Sequence, residues 1–323
     1  MTRAIMIREY GGPDVLRMED VAVSAPAAGE VRLRQTAIGV NYHDVYVRSG
    51  LYRTLALPGV PGLEGVGVVE AVGEGVTAFA RGDRVGYIQA GYGAYAEERV
   101  VAADSCVRLP DGVDDALAAA LLLKGVTASA LVHQVHPLHA GDVVLVHAAA
   151  GGVGHLLAQW AKLLGARVIG TAGSPEKVQA ALGYGCDDVI PYRETDFAER
   201  VLELTGGKGA NVVYDAVGRD TFDGSLKALA IRGHLVNYGQ ASGPIPPFDI
   251  SRLAPKSASI TRPGYSHYMP TPEAFRAVAT GFFAELAAGR LRAEPATALP
   301  LDRAAQAHEA LESRAAGPFV LVP

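Results

Sequence analysis

The chain has 323 residues, and its hydrophobic (49%) and charged (20%) fractions are ordinary for a globular enzyme, so composition alone selects no class of function. Its length predicts two domains. The net charge of −5 argues against general nucleic-acid binding, because proteins with that function are usually basic. We expect no signal peptide at the N-terminus and no stretch long enough to span a bilayer.

The first 125 residues or so are predicted to form a β-rich domain. Short apolar runs at 30–37, 65–72 and 99–101 are separated by glycine and proline, and residues 82–85 predict a turn that enters a strand. Residues 117–133 then change to a helical spacing of alanine and leucine.

Strands and helices alternate in the next part of the chain, from residue 141 to 262. The predicted strands are 142–147, 166–171, 187–191, 211–215 and 233–238, and the predicted helices are 153–164, 175–183, 195–205 and 221–231. Such alternation is typical of an α/β fold with a doubly wound parallel sheet and right-handed crossovers. Helices at 273–289 and 301–313 follow, and an apolar strand at 319–322 is expected to return to the first domain.

The turn after the strand at 142–147 carries the strongest functional signal. Ala149, Gly151 and Gly154 occupy the three positions of the G-x-G-x-x-G pattern, between a β-branched strand and an amphipathic helix. Small residues at these positions let the backbone turn tightly and approach a diphosphate, which rests on the amides that begin the helix. The turn, including Gly152 and Val153, is therefore predicted to bind a dinucleotide, whereas a purely structural turn is the alternative.

The end of the second strand predicts which dinucleotide is bound. An NAD site usually has Asp or Glu there for the ribose 2′-hydroxyl, whereas this chain has Gly173 and Ser174, with Lys177 one turn later. A missing carboxylate leaves room for a 2′-phosphate that Lys177 can neutralise, which favours NADP(H), although an ordinary solvated lysine is the alternative. Tyr192, after the third strand, is a further candidate to close this pocket.

Several stretches of the chain match one known family in the same order. They are NYHDVYVRSGLY (41–52), PGLEGVGVVEAVGEGV (61–76), GDRV (82–85), GAYAEE (93–98), LLLKGVTA (121–128), VLVHAAAGGVG (144–154), GSPEK (173–177), NYGQASGP (237–244) and TRP (261–263). Over essentially its whole length the chain therefore resembles the zinc-free quinone oxidoreductases of the zeta-crystallin type, in the medium-chain dehydrogenase/reductase superfamily.

The resemblance implies a GroES-like β-rich catalytic domain made of residues 1–125 and 263–323, around a Rossmann domain at 126–262. It implies NADPH as the hydride donor, a quinone-type acceptor, and a homodimer paired through the edge of the Rossmann sheet near 257–262. Four more residues are implied to contact the cofactor: Lys124 and Thr127 near the nicotinamide ribose, and Tyr238 and Gly239 against the nicotinamide.

A comparison with the zinc-dependent branch of the superfamily predicts that no metal is bound. That branch holds its catalytic metal with cysteine and histidine, and many members add a lobe with four cysteines. This chain has Asn41 and Leu63 at the first two ligand positions, and its two cysteines, Cys106 and Cys186, form no ligand spacing. Zinc needs three or four close nitrogen, sulfur or oxygen ligands. We expect both cysteines to be free thiols in a reducing cytoplasm.

Without a metal, hydrogen-bond donors must polarise the acceptor oxygen. The family places Asn41, Tyr46 and Tyr52 at the nicotinamide and acceptor pocket, where an amide can hold a carbonyl group and a phenol can donate a hydrogen bond or a proton. Aromatic packing with the hydroxyl in water is the alternative for both tyrosines. Asp215 ends a strand, and we expect it to accept hydrogen bonds from loop amides and to have no part in the chemistry.

The leading hypothesis is a cytoplasmic NADPH-dependent quinone reductase with a small-molecule substrate and no membrane association. A second hypothesis is an NADPH-dependent reductase of conjugated enones or enoyl thioesters. A third is a cofactor-binding protein with a structural or RNA-binding role, which the acidic net charge disfavours.

Overall fold

A computed structural model of the chain describes residues 1–89, 91–313 and 317–323. These residues form two compact units. The first unit contains Met1–Leu123, Thr271–Phe283 and Glu294–Pro323, and the second contains Lys124–Pro270 and Ala284–Ala293. The domain ranges predicted from the sequence assign residues 124–125, 263–270 and 284–293 to the β-rich domain, whereas these residues lie in the second unit; the predicted ranges stay a prediction.

Antiparallel strands dominate the first unit. A hairpin pairs β1 (Thr2–Met6) with β2 (Arg17–Val21). The strands that follow are β3 (Glu30–Gly39), β4 (Glu64–Val72), β5 (Arg84–Ile88), β6 (Glu98–Ala102) and β7 (Cys106–Arg108), with helix α1 (Tyr42–Arg48) between β3 and β4. β3 pairs with β4 and β6, β4 pairs with β5, and β5 pairs with β7. Single 3₁₀ turns lie at Pro13–Val15 and Ala103–Ser105.

Helix α2 (Asp115–Ala130) continues into a π-helical turn at Leu131–Val135. Together they form 21 residues that are long and apolar enough to cross a bilayer by length and composition alone. The expectation that no stretch reaches this length was therefore wrong. However, 67% of its most apolar window is buried inside the protein. A helix that is apolar on all sides is also what the core of a globular protein requires.

The second unit is built on a parallel sheet. Its strands are β8 (Val143–Val146), β9 (Arg167–Ala172), β10 (Asp188–Pro191), β11 (Ala210–Asp215), β12 (Leu229–Asn237) and β13 (Ser259–Thr261). The helices among them are α3 (Gly154–Leu163), α4 (Pro175–Gly183), α5 (Phe197–Leu204), α6 (Phe222–Ala228) and α7 (Tyr265–Tyr268), with a 3₁₀ segment at Ile250–Lys256. The predicted strands and helices agree with these to within a few residues. The short edge strand β13, the 3₁₀ segment and helix α7 were not predicted.

The strand order of this sheet is β10-β9-β8-β11-β12-β13, and every pair is parallel. In a doubly wound sheet with this order, the connections leave in opposite directions from the two central strands, β8 and β11. A crevice for ligands is expected outside the carboxyl ends of those strands. The predicted Rossmann fold is confirmed, and the glycine turn directly follows β8.

The end of the chain adds α8 (Pro272–Ala287), β14 (Thr297–Pro300), a 3₁₀ turn at Leu301–Arg303, α9 (Ala304–Glu312) and β15 (Phe319–Val322). β15 pairs with β14 and with β3. The terminal strand therefore returns to the first unit, as the sequence predicted.

A buried arginine connects α9 to α1 within the first unit. Only 2% of the Arg48 side chain is exposed, and its two terminal nitrogens donate to the Glu312 carboxylate at 3.0 and 2.8 Å. Beside this pair, His308 Nε2 lies 2.9 Å from the hydroxyl of Tyr95, which also donates to Asp44 at 3.2 Å. Helix α1 is thereby held at Asp44 by Tyr95 and at its last residue, Arg48, by Glu312.

The core of the second unit should be sensitive to the loss of side-chain volume. Leu145 on β8 is fully buried among residues from neighbouring strands and helices. We expect Leu145→Ala to lower the free energy of unfolding by roughly 2–5 kcal/mol, because it leaves a cavity. Leu163→Ala makes the same deletion at a side chain that is 48% exposed, and it should change stability by less than about 0.5 kcal/mol. Equal losses in chemical denaturation would show that β8 is not a core strand.

His308 should make stability depend on pH. Burial, together with the nearby Arg48 cation, lowers the pKa of His308 to about 3, whereas the unfolded chain has the ordinary value of about 6.5. Between these values the unfolded state binds the extra proton, so the stabilisation is complete above about pH 6.5 and is lost as the pH falls.

Chemical denaturation at a series of pH values between about 7 and 5 measures this effect. His308→Gln should make the fall in stability shallower by up to about 1.4 kcal/mol per pH unit. His139→Gln, at a side chain that is 81% exposed, is the matched control. An unchanged slope in His308→Gln would contradict the assignment.

Candidate cofactor and acceptor sites

In the glycine turn after β8, the backbone at Gly151 and Gly154 comes close to the backbone carbonyl of Ala148. The Gly151 amide donates to the Ala148 carbonyl oxygen at 2.7 Å, and α3 begins at Gly154. A Cβ atom on Gly154 would lie 2.2 Å from that same oxygen. Ala148 itself has a left-handed φ of 52°, which is uncommon for a residue with a side chain. The sequence therefore needs glycine at 154 for the chain to enter the helix at this point.

A buried polar chain holds the start of this turn. His147 is 1% exposed, its Nδ1 lies 3.1 Å from Thr171 Oγ1 on β9, and its Nε2 lies 3.0 Å from Ser225 Oγ on α6. The Thr171 hydroxyl accepts from the Ala148 amide at 3.3 Å. Burial lowers the pKa of His147, so the ring is neutral and supplies one donor and one acceptor. Sequence reasoning found no role for this histidine.

Lys124 packs against the glycine turn within the second unit. A Cβ on Gly152 would lie 3.0 Å from Lys124 Cε, and the lysine is only 9% exposed. Thr127 follows three residues later on α2, on the same side of the helix, and is half-buried. The structure therefore brings Lys124 to the turn that the sequence assigned to the diphosphate.

The predicted 2′-phosphate residues meet at the end of β9. Ser174 is the N-cap of α4, and its hydroxyl accepts from the Lys177 amide at 3.4 Å. A Cβ on Gly173 would lie 2.7 Å from the Tyr192 hydroxyl, so the tyrosine covers this glycine. The half-buried Lys177 follows in the first turn of α4. All four residues therefore gather at the beginning of one helix.

Glu176 in the same helical turn was not weighed in the sequence analysis. A hydrogen bond from the Ser174 hydroxyl lowers the pKa of this exposed carboxyl group. An anion is thus present beside the predicted phosphate position. Because Glu176 is exposed, solvent and salt screen its negative charge.

The loop after β11 uses its strand-end carboxylate for structure. Asp215 is fully buried and accepts from the amides of Val217 at 2.7 Å and Gly218 at 3.1 Å. It also accepts from the Thr221 hydroxyl at 2.9 Å. The expectation that this aspartate satisfies loop amides is confirmed.

The segment after β12 is held in a fixed conformation by its neighbours. The Asn237 side chain donates to the Gly239 carbonyl at 2.9 Å, and Arg262 donates to the same carbonyl at 2.8 Å and to the Asn237 side chain. A Cβ on Gly239 would lie 2.6 Å from the Ala216 carbonyl oxygen. Tyr238 and Gly239 therefore lie on a rigid turn at the carboxyl end of the sheet, and Arg262, to which the sequence assigned no role, helps to hold that turn.

In the first unit, Asn41 is joined to a buried carboxylate. Its side-chain amide donates to Glu64 Oε1 at 2.6 Å, and Glu64 Oε2 accepts from the Leu123 amide at 2.6 Å. Asn41 also begins α1, where its backbone amide donates to Asp44 at 2.8 Å. The asparagine is 6% exposed. Its first structural task is therefore to satisfy Glu64 and to fix the start of α1.

The two predicted tyrosines lie in one aromatic cluster. The rings of Tyr46 and Tyr52 meet edge to face with centroids 5.0 Å apart, and the Tyr52 amide donates to the Tyr46 carbonyl at 2.9 Å. Tyr42 packs on Tyr46 at 5.3 Å, and His43 packs on Tyr52 at 5.3 Å. Tyr46 is 9% exposed and Tyr52 is half-buried. The structure thus brings Asn41, Tyr46 and Tyr52 together around α1.

The donor set at the zinc positions does not suit a zinc ion. Asn41 donates its amide to Glu64, and Leu63, which is 5% exposed, has no ligating atom. Over the residues that the structure describes, no three His, Cys, Asp or Glu side chains are grouped as metal ligands.

Comparisons with known proteins agree with this arrangement. A family model described as "Alcohol dehydrogenase GroES-like domain" matches residues 27–111, and one described as "Zinc-binding dehydrogenase" matches residues 152–284. The chain is 46% identical to a quinone oxidoreductase of Pseudomonas aeruginosa, with 100% of both chains covered. It is 44% identical to a 2-haloacrylate reductase of a Burkholderia species, which covers 100% of this chain and 99% of that protein.

A solved structure gives the same result. The crystal structure of Escherichia coli quinone oxidoreductase complexed with NADPH has a TM-score of 0.97 and 41% identity, and the match covers 99% of this chain and 100% of that one. On these similarities over its full length, the chain belongs to the zinc-free quinone oxidoreductase family of the medium-chain dehydrogenase/reductase superfamily.

Proposed function

We propose that this protein is an NADPH-dependent quinone oxidoreductase that uses no metal. One observation carries the proposal: the second strand of the Rossmann sheet ends in Gly173 and Ser174, with Lys177 beside them, instead of the carboxylate typical of an NAD site. This arrangement stands in a chain that shares its whole length with quinone oxidoreductases, one of which was crystallised with NADPH.

The residues of the second unit fit such a cofactor. The turn through Ala149, Gly151 and Gly154 leaves no room for a side chain at its tightest point, which is the form of backbone that admits a diphosphate. Gly152 and Val153 supply the amides that precede α3. Lys124 beside the turn adds a positive charge for the cofactor, and Thr127 adds a hydroxyl. Ser174 and Lys177 would hold the 2′-phosphate, with Tyr192 over Gly173.

Bound NADPH supplies the hydride, and this chain's own residues supply position and hydrogen bonds. Tyr46 and Tyr52 donate to the acceptor oxygen on which negative charge develops. Asn41 keeps α1 in place through Glu64, and its amide is the group that we propose for holding the acceptor carbonyl. Tyr238 and Gly239 offer a rigid backbone surface to the nicotinamide.

Metal-free chemistry follows from the residues present and from the acceptor. Asn41 and Leu63 replace the ligands of the zinc branch, and leucine cannot coordinate zinc. Quinones accept electrons readily, so hydrogen bonds are sufficient activation.

Reduction of an activated carbon–carbon double bond is the second candidate. The Burkholderia relative named 2-haloacrylate reductase favours it, because such a substrate is a conjugated acid with a double bond. NADPH oxidation measured with a panel of quinones and a panel of enones and enoyl thioesters separates the candidates. Turnover of quinones alone supports the first, and binding of NADPH without any turnover would support a structural or RNA-binding role.

We also propose a cytoplasmic homodimer. The short β13 is an open edge of the parallel sheet, and pairing covers such an edge. Both cysteines are free and buried, as suits a reducing compartment. Light scattering tests the dimer.

Lys177→Ala tests the assignment of the 2′-phosphate. We expect NADPH to bind about ten- to a hundredfold more weakly, because one charged contact worth roughly 1.5–3 kcal/mol is lost, whereas NADH binding should hardly change. Lys208→Ala removes an exposed lysine of the same unit and serves as the control. Calorimetric titration gives both affinities, and equal weakening of the two cofactors would remove Lys177 from the site.

Tyr52→Phe tests the role of a phenol in the reaction. The ring contacts with Tyr46 and His43 are kept, and only the hydroxyl is lost. We expect a lower kcat with quinones and an unchanged affinity for NADPH. Unaltered steady-state kinetics with every accepted quinone would leave Tyr52 with a packing role alone.

A further inference from the structure

Tyr92 has a backbone conformation that a tyrosine rarely adopts. Its φ of 60° lies in the left-handed region, which glycine adopts most readily, and the residues on both sides of Tyr92 are glycines. A side chain at such a position costs conformational free energy that glycine would avoid. Non-glycine residues with this strain are concentrated at functional sites, where the surroundings hold them in place.

Three groups of the first unit hold Tyr92. Arg99 donates to its carbonyl oxygen at 2.6 Å, and the guanidinium of Arg99 is itself buried over the Tyr87 ring, 4.9 Å from the centroid. At the other end of Tyr92, the phenol oxygen lies 2.5 Å from Thr54 Oγ1 and 3.1 Å from His43 Nε2. The strained backbone therefore serves to bring one hydroxyl between a threonine and a histidine.

These contacts lead to the predicted acceptor residues. The His43 ring stacks on Tyr92 with centroids 6.0 Å apart, and its edge contacts Tyr52 at 5.3 Å. Tyr52 in turn contacts Tyr46. One continuous series of ring contacts thus runs from Tyr92, which is 6% exposed, through the half-buried His43 to the two tyrosines proposed to bind the acceptor.

The two residues at the Tyr92 end of this series, His43 and Tyr92, are polar and carry no charge. Burial lowers the pKa of His43 to about 4, so the imidazole is neutral at physiological pH. Tyr92, whose pKa burial raises, is a neutral phenol. Neutral rings that can donate and accept hydrogen bonds suit a flat, uncharged molecule with oxygen substituents. They offer no positive charge to offset the desolvation of a carboxylate.

We propose that His43 and Tyr92 are specificity-determining residues that select uncharged quinone rings over anionic conjugated acceptors. The hydroxyl of the buried Tyr92 fixes the His43 ring through its hydrogen bond, and the half-buried His43 ring is the group that would meet the ring substituents of the acceptor. This inference rests on the proposed function, and it names the class of acceptor within it.

Tyr92→Phe tests the proposal, with kcat/KM measured for a neutral naphthoquinone and for 2-chloroacrylate. We expect kcat/KM for the quinone to fall roughly 3- to 10-fold, as for the loss of one hydrogen bond, while KM for NADPH stays unchanged. The ratio of quinone to chloroacrylate turnover should fall with it. Tyr184→Phe is the control, because it removes a tyrosine hydroxyl at the end of α4. It should leave kcat/KM for both acceptors unchanged.

His43→Gln and the double variant complete the test. Because the two side chains act through one hydrogen bond, the double variant should lose little more than either single variant. Additive losses, or an unchanged acceptor ratio in Tyr92→Phe, would overturn the inference while leaving the proposed function intact. If the parent protein fails to oxidise NADPH with any of the quinones, the proposed function itself is overturned. Equal denaturation midpoints of Tyr92→Phe and the parent confirm that folding is unaffected.

Discussion

The close approach of the Gly154 backbone to the Ala148 carbonyl is the constraint on which the second unit depends. It allows β8 to end and α3 to begin within a few residues, so that the amides of the turn open at the carboxyl edge of the sheet. The buried His147–Thr171 contact fixes the beginning of the turn from the neighbouring strand. The cofactor proposal follows from this backbone, because a diphosphate is recognised by amides rather than by a particular side chain.

In the first unit, buried polar side chains fix the position of helix α1. Glu64 is fully buried and is satisfied by Asn41 and by a backbone amide, while Asp44 joins the start of α1 to Tyr95. Such groups are costly to bury unless each is hydrogen-bonded, so together they favour one arrangement of α1. The tyrosines proposed to bind the acceptor lie on and directly after that helix. Their positions are therefore set by this network of buried hydrogen bonds.

The sequence predicted the Rossmann strands because apolar β-branched runs alternated with amphipathic helices, and it predicted the glycine turn because that pattern is local. It missed β13, which is only three residues long, and it did not reveal that α2 is buried. The partners of His147 and Tyr92 were also out of reach, since Ser225 and His43 are distant along the chain. Contacts of this kind depend on the tertiary fold, which no spacing encodes.

The most direct measurement is a calorimetric titration of NADPH into protein dialysed against a chelator and shown by elemental analysis to lack transition metals, followed by quinone turnover of the same sample. Our account predicts saturable binding of one NADPH per chain and full activity in that sample. An absence of binding heat, or activity that returns only when zinc is added, would contradict it.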